Sequence, residues 1–253
     1  MVRTYTDRPV PPHVIDEIVD AGLRAPSAGF SQGWAFLVLE GPEQTAPFWA
    51  LTARSADPPA PGSRLARMRA APVIIVPLSH KATYLERYAE ADKAGRGLDR
   101  EEAWPVPYWD VDTAFATMAM LLAATDAGLG ALFFGVFREE TELLAALGVP
   151  PGYRPIGAVT LGWPADSDLR SPSLERGRRS RQQTVHYGRW SGIRRGPDID
   201  PGPGVDPGPG VDRGSGSDAA ATTEARAVRR VASAPCSVSV QTEIARRGSP
   251  GAG

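Results

Sequence analysis

The chain has 253 residues, 42% of them hydrophobic and 23% charged, with a formal net charge of −1 and a pI near 6.3. These are ordinary values for a soluble globular protein, and they leave no global basic field to recruit nucleic acid or an anionic membrane. The single cysteine, Cys236, excludes a disulfide framework and a multi-cysteine metal site; no apolar run reaches the roughly 18–20 residues that span a bilayer, and with no signal peptide at the start the cytoplasm is the expected location.

Pro11-Pro12 sits where a helix can start, because the first turn does not need proline's missing N–H. Val14, Ile15, Ile18, Val19, Gly22 and Leu23 then recur at helical spacing. Arg24-Ala25-Pro26-Ser27-Ala28-Gly29-Phe30-Ser31-Gln32-Gly33-Trp34 follows and runs straight into an apolar strand over residues 35–39. A tight polar turn between two buried elements offers backbone groups, a hydroxyl and an amide between apolar walls, which suits a flat, polar-edged ring such as a flavin. Residues 47–69 read as helical in parts, broken at Pro58-Pro59-Ala60-Pro61-Gly62, and residues 72–77 as a fully buried second strand. Residues 112–129 predict a long apolar helix through Phe115, Met118, Met120, Leu121, Leu122 and Ala123. It carries little charge on any side, so the expectation is a central helix covered all round. A third strand at residues 131–134, a short helix at 139–147 and a fourth strand at 158–161 complete the pattern, before Gly162-Trp163-Pro164. Helices mixed with short strands indicate an α+β sandwich, its sheet covered by helices.

The composition breaks near Trp190. Beyond it Pro201-Gly202-Pro203-Gly204-Val205-Asp206 repeats as Pro207-Gly208-Pro209-Gly210-Val211-Asp212. Proline and glycine at that density hold neither helix nor ladder, and little apolar surface is available to offset ordering. The expectation is a folded domain over residues 1–190 and a disordered Pro/Gly/Ala/Arg-rich tail over 191–253.

Side-chain chemistry of the usual kinds is missing. His13, His80 and His186 are scattered, and there is no HExxH, GxSxG or GxxxxGK[ST] pattern. Gly128-Leu129-Gly130 follows a helix and precedes a strand, the reverse of a dinucleotide-binding turn. A chain without its own redox or acid–base apparatus is still an enzyme if a cofactor carries the chemistry.

Five blocks carry a resemblance. They are Arg3-Thr4-Tyr5-Thr6-Asp7-Arg8-Pro9-Val10 followed by the first helix and Ala25-Pro26-Ser27-Ala28-Gly29-Phe30-Ser31-Gln32; Ala127-Gly128-Leu129-Gly130-Ala131 running to Phe133-Phe134-Gly135; Leu147-Gly148-Val149-Pro150; Ile156-Gly157-Ala158-Val159-Thr160-Leu161-Gly162; and His186-Tyr187-Gly188-Arg189-Trp190. In that order they resemble the FMN-dependent nitroreductase family over residues 1–190. The resemblance implies a nitroreductase-like sandwich with a mostly antiparallel sheet. It also implies a homodimer with two FMN at the subunit interface, and hydride transfer from NAD(P)H through flavin N5 to a nitroaromatic, quinone or similar acceptor. By motif position, Pro26, Ser27 and Ala28 meet the flavin from the partner subunit and Gln32 supports the same loop. Arg3 lies beside the N1/O2 edge, where a guanidinium stabilises the charge of the reduced ring. Phe134 and Gly135 approach N5 and O4 through their backbone. The phosphate calls for one or more of Arg176, Arg178 and Arg179, whose planar fork suits it. No catalytic side chain and no metal are implied.

Several positions depart from that family's pattern. The usual Arg-Arg-Ser would fall at or before Met1, so either the protein starts upstream or FMN is held less tightly; each phosphate contact is worth roughly 1.5–3 kcal/mol. Phe30 and Gly33 replace the family's common Asn and Pro, which bears on the choice of acceptor. Other flavin chemistry on the same scaffold (reductive dehalogenation or flavin destruction) and a non-catalytic flavin-binding protein are the alternatives. The aromatic insert of Tyr84, Tyr88, Trp104, Tyr108 and Trp109 reads either as a lid wall over a ring-shaped substrate or as packing against the neighbouring subunit.

Overall fold

The computed structural model describes residues 1–53, 59–168, 171–190 and 192. Two compact units divide the chain, Met1–Arg181 and Gln182–Gly253. In the second, the Tyr187 N–H donates to the Gly192 carbonyl at 3.0 Å, and the His186 and Trp190 rings lie 4.2 Å apart. The expectation of a disordered tail falls, apart from Gly192, outside the described residues.

The first unit is an α+β sandwich. In chain order it runs α1 (Pro12–Leu23), β1 (Trp34–Glu40), α2 (Gly41–Thr52), α3 (Arg64–Arg69), β2 (Val73–His80), α4 (Lys81–Ala89), α5 (Tyr108–Asp126), β3 (Gly130–Phe134), α6 (Glu140–Ala146), β4 (Tyr153–Pro155) and β5 (Ala158–Gly162); the single turn α7 (Arg181–Thr184) follows in sequence. The strands are ordered β1-β2-β5-β3, with β4 pairing the end of β2. Every described pairing is antiparallel.

Strand β2 is the hinge of the fold. Its residues are buried from Val73 to Ser79, and their alternation feeds two cores. Val73 and Ile75 face Ile15 and Ile18 of α1 and Met120 and Ala124 of α5. Ile74, Val76 and Leu78 face Phe48 and Trp49 of α2, Met68 of α3 and Leu143 of α6. The strand runs three residues beyond Pro77, the predicted stop. Pro77 lies between the last β5 partner, at Ile75, and the first β4 partner, at Leu78. A missing N–H there breaks no ladder bond.

The structure corrects one expectation and adds to two others. The long helix is not covered all round: Phe115, Met118 and Leu122 of α5 are 51%, 53% and 60% exposed. Only its Ala116–Met120–Ala124 side is buried, closely enough against α1 that a Cβ on Gly22 would sit 2.8 Å from Met120 Cγ. The aromatic insert, read as a lid wall or as subunit packing, has aromatic partners within its own chain. It contains α4 and packs on its own chain, with Tyr84 fully buried and Trp109 8% exposed. The Trp104 ring lies 4.9 Å from Tyr88, 6.1 Å from Tyr84 and 6.1 Å from Trp109. Finally, the short β4 lies outside the strands read from sequence, because three residues are too few to show a period.

Candidate functional site

The turn between α1 and β1 is built under strain. Gly29, Phe30 and Gln32 all have positive φ, at 62°, 57° and 52°; for the two non-glycine residues this costs on the order of 1–3 kcal/mol each. The turn satisfies many of its own groups. The Ser27 carbonyl accepts from the Phe30 N–H at 3.0 Å, and the Ala28 carbonyl from the Ser31 N–H at 3.1 Å and the Ser31 hydroxyl at 2.6 Å. Ser27 Oγ accepts from the Gln32 N–H at 3.0 Å. The Ala28 N–H donates outward to Asp112 Oδ2 of α5 at 2.7 Å. Both backbone groups of Ala28 are therefore engaged, and only its methyl is left to touch a ligand. Pro26, Gln32 and Phe30 are exposed, Phe30 by 76%.

Gly33, where the sequence departs from the usual proline, is explained by Tyr84. A Cβ at Gly33 would sit 2.5 Å from Tyr84 Cε2 and 2.9 Å from the His80 carbonyl. Burial, followed by the hydrogen bond its hydroxyl donates to Asp112, pushes the Tyr84 phenol well above its ordinary pKa, so it stays protonated as that donor. Gly33→Ala is expected to cost about 1–3 kcal/mol through overpacking, read as a lower urea midpoint at unchanged slope. An unchanged midpoint would mean that the Tyr84 ring yields freely.

Arg3 belongs to an N-terminal arm laid along the opposite edge of the sheet. The Val2 N–H donates to the Ala131 carbonyl at 3.0 Å, Tyr5 bridges Pro164, and the Arg3 N–H donates to Asp168 Oδ1 at 2.9 Å. The Arg3 side chain is half-buried. Its Nη1 reaches the Met1 carbonyl at 3.4 Å, while its buried Nε has no hydrogen-bond partner among the described residues.

Phe134 and Gly135 close β3 at the far end of that strand from Arg3's arm. The Phe134 ring stacks on Trp49 at 5.8 Å and 4°. A Cβ on Gly135 would run into the Phe137 ring. Gly135 also lines a cavity of about 430 Å³ with Trp49, Leu65, Met68, Phe134, Phe137 and Arg138, within the size range of small-molecule sites. Arg176 ends a short 3₁₀ turn over Pro172–Arg176, and Arg178 and Arg179 follow it, all three exposed.

Topology fixes how these pieces relate. Trp34 pairs with Ser79, and Phe134 with Ala158. The strained turn and Gly135 thus share one end of the sheet but sit at opposite edges, three strand spacings or about 14 Å apart. Asp112, Tyr84 and Arg87, which hold the turn, were not among the predicted site residues. Their traces in sequence are Tyr84 in the aromatic insert and a pair of acids, Asp110 and Asp112, opening an otherwise apolar helix.

A mostly antiparallel sheet between helical layers, with an N-terminal arm along one edge and a strained turn at the other, defines a nitroreductase-type α+β sandwich. The chain belongs to the Nitroreductase family, whose sequence pattern matches residues 1–163. An Archaeoglobus fulgidus protein provisionally named NADH dehydrogenase/NAD(P)H nitroreductase is 28% identical over 192 residues, 75% of this chain and 92% of that protein. A Thermus thermophilus NADH dehydrogenase is 28% identical over 188 residues, 68% of this chain and 86% of its own. Among solved structures, an oxidoreductase described as containing FMN aligns with a TM-score of 0.56 at 20% identity, over 76% of this chain and 89% of that one. A nitroreductase family protein from Clostridium difficile 630 aligns with a TM-score of 0.53 at 20% identity, over 74% and 92%.

Proposed function

We propose that this protein is a cytoplasmic, homodimeric FMN-dependent oxidoreductase that takes electrons from NAD(P)H and delivers them to a nitroaromatic, quinone or similar acceptor. The observation that carries this reading is Arg3: a half-buried guanidinium whose Nε has no hydrogen-bond partner among the described residues is suited to the electron-rich edge of a polar ring. FMN, when bound, supplies the hydride-accepting chemistry, so the chain needs to bind, orient and shield rather than react. Arg3 holds the pyrimidine edge, the backbone of Phe134 and Gly135 lines the reactive edge, and the basic stretch Arg176, Arg178 and Arg179 supplies the phosphate's counter-charge. Pro26, Ser27, Ala28 and Gln32 come from the second copy. Two features support that division: the gap between the sheet edges, and the Phe115–Met118–Leu122 stripe on α5, which the described residues leave exposed. Exposed Phe30 is the residue we assign to stacking on an aromatic acceptor. Among the described residues, no helix is long and apolar enough to cross a membrane.

The purified protein is expected to be yellow or to take up FMN stoichiometrically, and NAD(P)H is expected to bleach the flavin band under anaerobic conditions. Arg3→Ala is expected to slow that bleaching about tenfold or more while FMN affinity falls less, because the lost contact matters most to the reduced ring. A protein that takes up no FMN, or an Arg3→Ala variant bleached at the parent rate, would refute the assignment.

A further inference from the structure

We propose, building on the flavin reading above, that Asp112 and Arg87 are positioning residues that clamp the turn at residues 26–32 into its left-handed path and so fix the surface it presents to FMN. Two adjacent residues of the turn are gripped by different helices. The Ala28 N–H donates to Asp112 Oδ2 of α5 at 2.7 Å. The Gly29 carbonyl accepts from Arg87 Nε of α4 at 3.0 Å. These grips bracket the point where the backbone enters positive φ at Gly29 and Phe30. The Tyr88 ring closes the third side, 2.8 Å from where a Gly29 Cβ would lie.

Each grip is itself braced. Asp112 is 3% exposed, and the same Oδ2 also accepts from the Tyr84 hydroxyl at 2.9 Å. A carboxylate this deep, met by neutral donors, is costly to keep for packing alone. Arg87 is oriented by Asp92, whose two oxygens take Nη1 and Nη2 at 2.7 Å each, and by Glu90 at 3.1 Å. Its fork geometry aims Nε at the turn. The insert between β2 and α5 therefore acts as a brace for the turn. It explains why a costly backbone conformation persists at a surface whose strain has no use in folding alone.

The oxygen geometry gives a sharp test. Both donors share Oδ2, so Asp112→Asn retains an oxygen that accepts from both, whereas Asp112→Ala removes it. Arg87→Met keeps the side-chain stem of a half-buried residue and removes the grip. Hydrogen exchange of residues 25–33 in the flavin-free protein is expected to quicken about tenfold or more in Asp112→Ala and Arg87→Met. In Asp112→Asn it is expected to stay within about threefold of the parent, because the shared acceptor survives. FMN titration followed by fluorescence quenching is expected to show about tenfold or greater weakening in the first two variants and near-parent binding in the third. Parent-like exchange in Asp112→Ala and Arg87→Met would overturn the clamp. So would faster exchange with unchanged FMN affinity, since the turn's shape would then not matter to the ligand. A parent that takes up no FMN overturns the reading beneath the proposal; this is told apart from failure of the clamp because the exchange measurement needs no flavin.

Discussion

Phe48→Ala is expected to lower the stability of the folded unit by about 3–5 kcal/mol. Phe48 is fully buried at the centre of the core on the α2 side of the sheet. Its ring meets Trp49 edge-on at 5.2 Å and Phe134 edge-on at 6.1 Å, contacts that add to simple burial. Ile74, Val76 and Leu143 belong to the same core and are themselves fully buried, which leaves little freedom to collapse into the void. For a unit of this size the loss corresponds to a melting temperature lower by about 6–20 °C. Because Phe134 rests on both Phe48 and Trp49, the variant is also expected to loosen the strand end that presents Gly135 and to weaken FMN uptake below the melting transition. Urea unfolding at constant slope measures the first effect and flavin titration the second. A loss of less than ~1 kcal/mol would show that Trp49 and Leu143 close the cavity, and that the two helices are less firmly seated than their burial implies.

Elements with a clear period were legible in the sequence, and those fixed by distant partners were not. Ile15 and Ile18, at helical spacing, and the unbroken Val73-Ile74-Ile75-Val76 run gave α1 and β2 directly, because burial on one face or on both writes itself into composition. The apolar α5 was legible as a helix but misread in its surroundings. Helix α4 was hidden because its residues, Lys81-Ala82-Thr83-Tyr84-Leu85-Glu86-Arg87-Tyr88-Ala89, bury a single side chain, Tyr84, and so show no stripe.

The site divides along the same line. Arg3, Pro26, Ser27, Ala28, Gln32, Phe134 and Gly135 could be named because they lie in contiguous motifs. What holds those motifs in shape lies 58 residues from Gly29 in the case of Arg87 and 84 from Ala28 in the case of Asp112. No local pattern encodes such a pairing. Gly33 shows the same limit, since the reason for glycine there is the Tyr84 ring arriving from α4.

The second large effect is expected at the α5 stripe. Phe115, Met118 and Leu122 fall three and four residues apart, so they form one face of the helix, and each is more than half exposed. Fully burying such a side chain is worth about 1.5–3 kcal/mol, of which roughly half remains to be gained here. In a two-fold interface every contribution counts twice. Replacing Phe115 and Leu122 by Glu therefore removes four contributions, about 3–6 kcal/mol in all, or about two to four orders of magnitude in dimer affinity, before charge repulsion is added. The double variant is expected to remain helical, because both positions point away from the core, yet to sediment as a monomer. It should also lose FMN. One chain carries the strained turn and Gly135 at edges about 14 Å apart, and in the proposed arrangement only a second copy brings one chain's turn to the other's Gly135. A variant that stays dimeric would place the interface elsewhere. A folded monomer that kept parent affinity for FMN would show that a single chain completes its own site, and the division of the flavin between two subunits would be wrong.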